Sequence, residues 1–140
     1  MDSISTLFPS QGGVLPKWLL FLAVVSIGNS VQAYLTLHYT SQVYSGPDLK
    51  SASPATPLSG RTFGTWTFLT SIVRLYAAYH INERSWYDMA TWTFTIAAFH
   101  FYAEWLYFKT TRWNRGLIGP IVVASISLPW MLLQRSHYVK

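Results

Sequence analysis

The sequence predicts an all-α fold: a polytopic membrane protein built as a four-transmembrane-helix bundle with both termini on the same side. Three observations carry this. Of 140 residues, 51% are hydrophobic and only 11% charged, a poor composition for a water-soluble globule. Mainly apolar runs at about 17–37, 62–79, 89–108 and 117–133 each approach the roughly 20 residues that cross a hydrocarbon layer. Seven Trp and nine Tyr can furnish belts at both interfaces, where an apolar ring meets wet headgroups.

Residues 1–16 contain Pro9, Gly12, Gly13 and Pro16 and show no helical period, so they read as a flexible tail. The membrane domain then occupies 17–134. No basic region precedes its first apolar run, which makes that run an uncleaved span and not a signal peptide. Asn29 and Gln32 are three apart and share a helix face. An unpaired amide is costly in lipid, so this face should turn toward other helices, with the small residues Gly28, Ser30 and Ala33 permitting close approach. Residues 38–59 follow, with Gly46-Pro47-Asp48, Pro54 and Pro57 among serines and threonines. This is a loop composition, and a connection of that length serves as either a docking surface or a tether.

The stretch from Gly60 to Thr110 organises the chain as two antiparallel helices joined by a polar turn at Asn82, Glu83, Arg84 and Asp88. A short basic link with Lys109, Arg112 and Arg115 leads to the last span, 117–133. Pro120 is tolerated in its first turn, whereas Pro129 should kink it or end its regular part, with Ser125 able to repair some of the damage. Residues 135–140 read as an exposed tail. Lys50, Arg61, Lys109, Arg112 and Arg115 face Lys17, Arg84, Arg135 and Lys140 across the membrane. This balance orients the long loop toward the cytosol by a narrow margin.

Ionisable side chains inside spans are costly and mark function or partnership. Here they are Arg74, His100 and Glu104. His100 and Glu104 are four apart, on one helix face and within mutual hydrogen-bonding reach. Folding the hairpin about Arg84 sets Arg74 beside Phe94, His100 beside Phe68, and Glu104 beside Gly64 and Arg61. Asn29, Gln32, Arg61, His100 and Glu104 then form one polar cluster near one membrane face, with Arg61 as the partner of Glu104. Arg74, in the other half, should snorkel toward the headgroups, Glu83 or Asp88. A His and a Glu one turn apart can perform acid–base chemistry; the alternative role is a polar network that fixes helix order. Trp66 and Trp92 belong to an aromatic set that can fill the core, meet lipid or stack on a ligand.

Other classes find no support. The basic balance, ten Lys and Arg against five Asp and Glu, is spread along the chain without a nucleic-acid-binding pattern. Cysteine is absent, which removes disulfides and thiolate ligands. The four His, at 38, 80, 100 and 137, lack metal-site spacing. No nucleotide-binding glycine motif or GxSxG elbow occurs, so no cofactor is expected.

GNSVQ at 28–32, RTFGTWT at 61–67, SIVR at 71–74 and WTFTIAAFHFYAEW at 92–105 resemble the ergosterol biosynthetic protein twenty-eight family. The likeness covers roughly 18–133. It implies a multi-pass, non-catalytic scaffold of the endoplasmic reticulum membrane that tethers the enzymes of sterol C-4 demethylation: the C-4 methyl oxidase, the decarboxylating C-3 dehydrogenase and the 3-keto reductase. Association with other late sterol-pathway enzymes is also implied, and self-association is left open. Asn29, Gln32, Arg61, Trp66, Arg74, Trp92, His100 and Glu104 carry over as structural or interaction positions, with no catalytic residue among them. The proline-rich loop through 53–59 is longer than in animal members. The alternative from another class is a cofactor-independent sterol isomerase or sterol-binding protein using His100 and Glu104.

Overall fold

Thr36, one residue before the expected end of the first span, separates two helices. The computed structural model describes residues 8, 9 and 12–140. Its first helix, α1, is Leu15–Leu35, with Pro16 in the opening turn, where the missing N–H has no helical partner to lose. At Thr36 the backbone is extended, and the hydroxyl accepts the His38 N–H at 3.1 Å, starting α2, Leu37–Val43. This short helix lies inside the stretch expected as loop. It is held by burial of Thr40 and Val43, a tertiary contact that local composition does not display.

The first helix of the expected hairpin, α3, spans Pro57–Tyr79 and begins five residues before the expected span. Pro57, read in isolation as a breaker, is the first helical residue. Thr56 and Ser59 form a reciprocal cap, each side chain accepting the other's backbone N–H at 3.1 and 2.8 Å. A turn at 80–83 leads to α4, Arg84–Tyr102. Its last part widens into a π turn, Ala103–Tyr107, in which the Phe108 N–H donates to the Ala103 carbonyl at 2.8 Å. Lys109 then adopts φ 60° and ends the helix.

Asn114 caps α5, Arg115–Tyr138, by accepting the Leu117 N–H at 3.0 Å. The helix passes through Pro129 and beyond the expected end at 133. Ser125 bonds the Tyr102 hydroxyl at 2.7 Å. The residues expected as an exposed tail are instead docked. Arg135 grips Asp88 with two bonds of 2.9 and 3.0 Å, Tyr138 is 4% exposed, and Asn82 donates to the Tyr138 carbonyl at 2.8 Å. At the other end of the chain, Leu15 and Pro16 are likewise buried, although the expected tail included Pro16. Residues 1–7, 10 and 11 of that tail lie outside the described residues.

Helix α1 runs along α3, and α4 runs along α5. The α1–α3 approach is set by Gly60 and Gly64, one turn apart on α3. A Cβ at Gly64 would stand 2.9 Å from the Tyr34 ring and 3.1 Å from the Ser30 carbonyl oxygen; one at Gly60 would stand 3.4 Å from the Ala33 carbonyl oxygen. Ser30 and Ala33 therefore lie at the contact, as small residues should. Gly28 does not: it is exposed, and a Cβ there would meet no atom within 4 Å. One core cluster, around Leu15, Tyr87, Phe94 and Met131, fills the end of the bundle where both described chain ends lie. A second, around Val43, Phe63, Phe101 and Leu117, fills the opposite end.

The long connection is no loose tether. Gly46 donates to the Thr110 carbonyl at 2.8 Å, Thr111 to the Val43 carbonyl at 2.6 Å, and Arg112 to the carbonyls of Ser45 and Asp48 at 2.9 and 2.8 Å. Within the loop, the Ser51 hydroxyl, followed by the N–H groups of Lys50 and Ser51, holds the Asp48 carboxyl below its ordinary range. Replacing Arg112 with alanine removes charge-assisted bonds at the centre of this cap. The expected result is local opening easier by about 2 kcal/mol. Tryptic cleavage at Lys50 then accelerates by about 30-fold at that energy, while helix content is retained. An unchanged cleavage rate would show that the remaining bonds hold the loop alone.

Among the described residues, α1 and α5 are the two helices long and apolar enough to cross a membrane, with mean hydropathy of 1.5 and 1.9 over their most apolar windows. The other long helices, α3 and α4, have 23 and 19 residues. Their lower hydropathy reflects hydroxyls and arginines.

Candidate functional site

The end of the bundle beneath the cap contains a cavity of about 680 Å³. Its walls come from the loop before α3, the first turns of α3, and the last turns of α4. The sequence dictates this placement in three steps. The Thr56 cap fixes where α3 starts, so Leu58, Thr62 and Trp66 follow one another at helical spacing along the wall. The opposite wall carries Ile96 and His100 on α4, again four apart. Glu104, four residues beyond His100 and at the start of the π turn, lines the same cavity; such turns are often found at functional positions.

Most of the lining is apolar, while its polar side chains include two hydrogen-bonded pairs. Nε2 of His100 and the Tyr44 hydroxyl share a hydrogen bond of 2.6 Å. The Thr110 hydroxyl donates to Glu104 Oε1 at 2.8 Å. The imidazole is also packed edge-on against Trp66 and Phe101, at centroid distances of 5.2 and 5.0 Å, which fixes its orientation.

A second cavity of about 190 Å³ lies behind Phe63, Trp66 and Phe101, and Asn29 and Arg74 line it. Arg74 is 6% exposed. Its guanidinium carbon lies 4.0 Å from the centre of the Phe94 ring, and Nε donates to the Thr93 hydroxyl at 3.1 Å. The cation thus rests on an aromatic face, in place of the headgroup-directed course expected for it. Asp88, one of its expected partners, is taken by Arg135.

The expected cluster is therefore divided. His100 and Glu104 share one cavity, Asn29 and Arg74 share another, and Trp66 stands between them. Gln32 and Arg61 are exposed, and Trp92 points outward at 61% exposure. Glu104 is bonded by Thr110 and not by Arg61. His100 meets Trp66, at a centroid distance of 5.2 Å, instead of Phe68. The expected Arg74–Phe94 proximity is present. Sequence reasoning missed Tyr44 and Thr110, which sit in connections; the nearest signal was the Gly46-Pro47 turn facing a basic link, and it does not specify who bonds to whom.

In chemical terms, the larger cavity offers apolar walls, one carboxylate, and an imidazole already engaged by a phenol. Among the described residues no three His, Asp or Glu side chains are grouped as a metal site.

The family model described as "Erg28 like protein" matches residues 15–129. "Ergosterol biosynthetic protein 28" of Candida albicans is 52% identical over 130 residues, covering 93% of this chain and 91% of the relative. The protein of the same description from Saccharomyces cerevisiae is 42% identical, with 96% and 88% covered. The human "Ergosterol biosynthetic protein 28 homolog" is 34% identical, with 86% and 84% covered. No solved structure matches.

Proposed function

Because this chain belongs to the Erg28 like protein family, we propose that it serves sterol biosynthesis as a non-catalytic scaffold of the endoplasmic reticulum membrane. It crosses the bilayer four times and tethers the C-4 methyl oxidase, the C-3 decarboxylating dehydrogenase and the 3-keto reductase, with other late-pathway enzymes as further partners. The observation that carries this reading is the match across nearly the whole membrane domain to relatives described by their place in ergosterol biosynthesis.

Two structural features support it. Helices α3 and α4 hide their hydroxyls by returning them to their own backbones: Thr62, Ser71, Thr91 and Thr95 each donate to a carbonyl one turn earlier, at 2.8 to 3.0 Å. That habit lowers the cost of crossing hydrocarbon and suits four spans. Along α4, Met89, Trp92, Ile96 and Phe99 form an exposed stripe at helical spacing, a surface for lateral contact with other membrane proteins. Gln32, Arg61 and Trp92 belong to the contact surface in this reading; Asn29, Trp66, Arg74, His100 and Glu104 order the interior. The scaffold acts by effective concentration, passing a poorly soluble intermediate to the next enzyme before it diffuses away.

A sterol profile of cells depleted of the protein tests the reading. Accumulated C-4 methylated, C-4 carboxylated or 3-keto sterols are the expected result. A normal profile would overturn it. Sterols cleared at C-4 but carrying a misplaced double bond would also overturn it, and would assign catalysis to His100 and Glu104.

A further inference from the structure

The larger cavity has a composition that a purely structural void does not need. Its volume, about 680 Å³, falls within the roughly 300–1,000 Å³ of small-molecule sites. Leu58 and Ile96, two of its lining residues, are 67% and 51% exposed, so apolar side chains lead from the outer surface into the interior. Farther along, Glu104 is the sole carboxylate in the lining. Thr110 bonds Oε1, and among the described residues Oε2 has no hydrogen-bond donor. His100 is already taken by Tyr44.

We propose that this cavity binds one sterol-class lipid, with its rings against Trp66 and Ile96 and its single hydroxyl donating to Oε2 of Glu104. The cavity chemistry selects an apolar body with one neutral donor; the choice of a sterol within that class rests on the sterol-pathway reading above. A carboxylate that lacks a donor rewards a hydroxyl and repels an anionic headgroup. A ketone at the same position offers a second acceptor to an acceptor. The site therefore distinguishes a 3-hydroxy sterol from its 3-keto counterpart, and both from phospholipid. The arrangement depends on the connections that supply Tyr44 and Thr110.

The test uses the purified full chain in phosphatidylcholine nanodiscs with a photoreactive sterol carrying a free 3-hydroxyl, and adducts are mapped by mass spectrometry. Adducts should concentrate in 54–66 and at Ile96, His100 and Glu104. Unlabelled 3-hydroxy sterol should compete at least about tenfold better than the 3-ketone, the discrimination expected when a hydrogen-bonding site is mismatched. Glu104→Gln should erase most of that preference, since an amide can donate to a ketone. Thr62→Trp fills the cavity from an exposed position and should remove the cavity adducts; Leu58→Trp, at the mouth, does the same should the first variant fail to fold.

Adducts concentrated at Met89, Trp92 and Phe99, outside the cavity, equal competition by hydroxyl and ketone, or equal competition by added anionic phospholipid would each overturn the site. The two readings fail separately. A normal sterol profile in depleted cells with specific cavity labelling overturns the pathway role alone, whereas a disturbed profile without cavity labelling overturns the site alone.

Discussion

Gly116→Ala is expected to destabilise the folded chain by about 3 kcal/mol, at the upper end of the usual overpacking cost. At this position the backbone of α5 touches the backbone of α2. An added Cβ would lie 2.2 Å from the Gln42 carbonyl oxygen, 2.4 Å from its carbon and 2.9 Å from the Val43 nitrogen. None of these atoms can turn aside as a side chain could, so α2 must shift as a body. Its displacement would strain the Thr111–Val43 bond and the cap above the larger cavity. Gly119 supplies the control, one turn further on, because no atom lies within 4 Å of its missing Cβ. There alanine should stabilise by about 1 kcal/mol, the ordinary helix-propensity gain. Denaturation in mild detergent, followed by tryptophan fluorescence, compares the two. Equal stabilities would mean that α2 does not bear on α5 in the working protein.

Phe94→Ala should cost about 3–4 kcal/mol in the same assay. The ring is fully buried, and deletion of such a ring leaves a void that neighbouring helices close only in part. It also strips the aromatic face from the Arg74 guanidinium. Arg74→Met alone should be nearly neutral, because removing a buried cation relieves desolvation as it loses contacts. In the double variant, the loss at Phe94 should shrink by about 1–2 kcal/mol, the coupling of a desolvated cation–π pair. Strict additivity would show that the two groups are neighbours without an energetic link.

The helical class and the antiparallel pairing of α3 with α4 were legible because apolar runs and a polar turn are local properties, although the turn lies at 80–83 and not around Arg84. Arg74 beside Phe94 followed from counting ten residues to either side of Arg84. The start of α3 was misplaced because Pro57 was weighed without Thr56 and Ser59, although that reciprocal cap is written in the sequence. The short helix α2 and the docking of Tyr138 were not legible, since both depend on contacts between residues far apart in the chain. The site shows the same division. His100 and Glu104 on one face could be read from a spacing of four, while Tyr44 as the partner of His100 lies 56 residues away in a connection. No periodicity records such a pairing. The division of the polar cluster into two cavities was equally hidden, because helix rotation about α1 is set by Gly60 and Gly64 and not by the positions of Asn29 and Gln32.

The Tyr138 hydroxyl lies 3.4 Å from the Gly12 carbonyl oxygen, which makes the path of the backbone almost a closed circuit. A shape with that property does not depend on where the circuit is cut. A circular permutant joined by a short linker from residue 140 to residue 12, and opened between His80 and Glu83, would keep the interhelix contacts while α4 and α5 were synthesised before α1 and α3. Comparing it with the natural order would separate what the finished bundle requires from what its biogenesis requires.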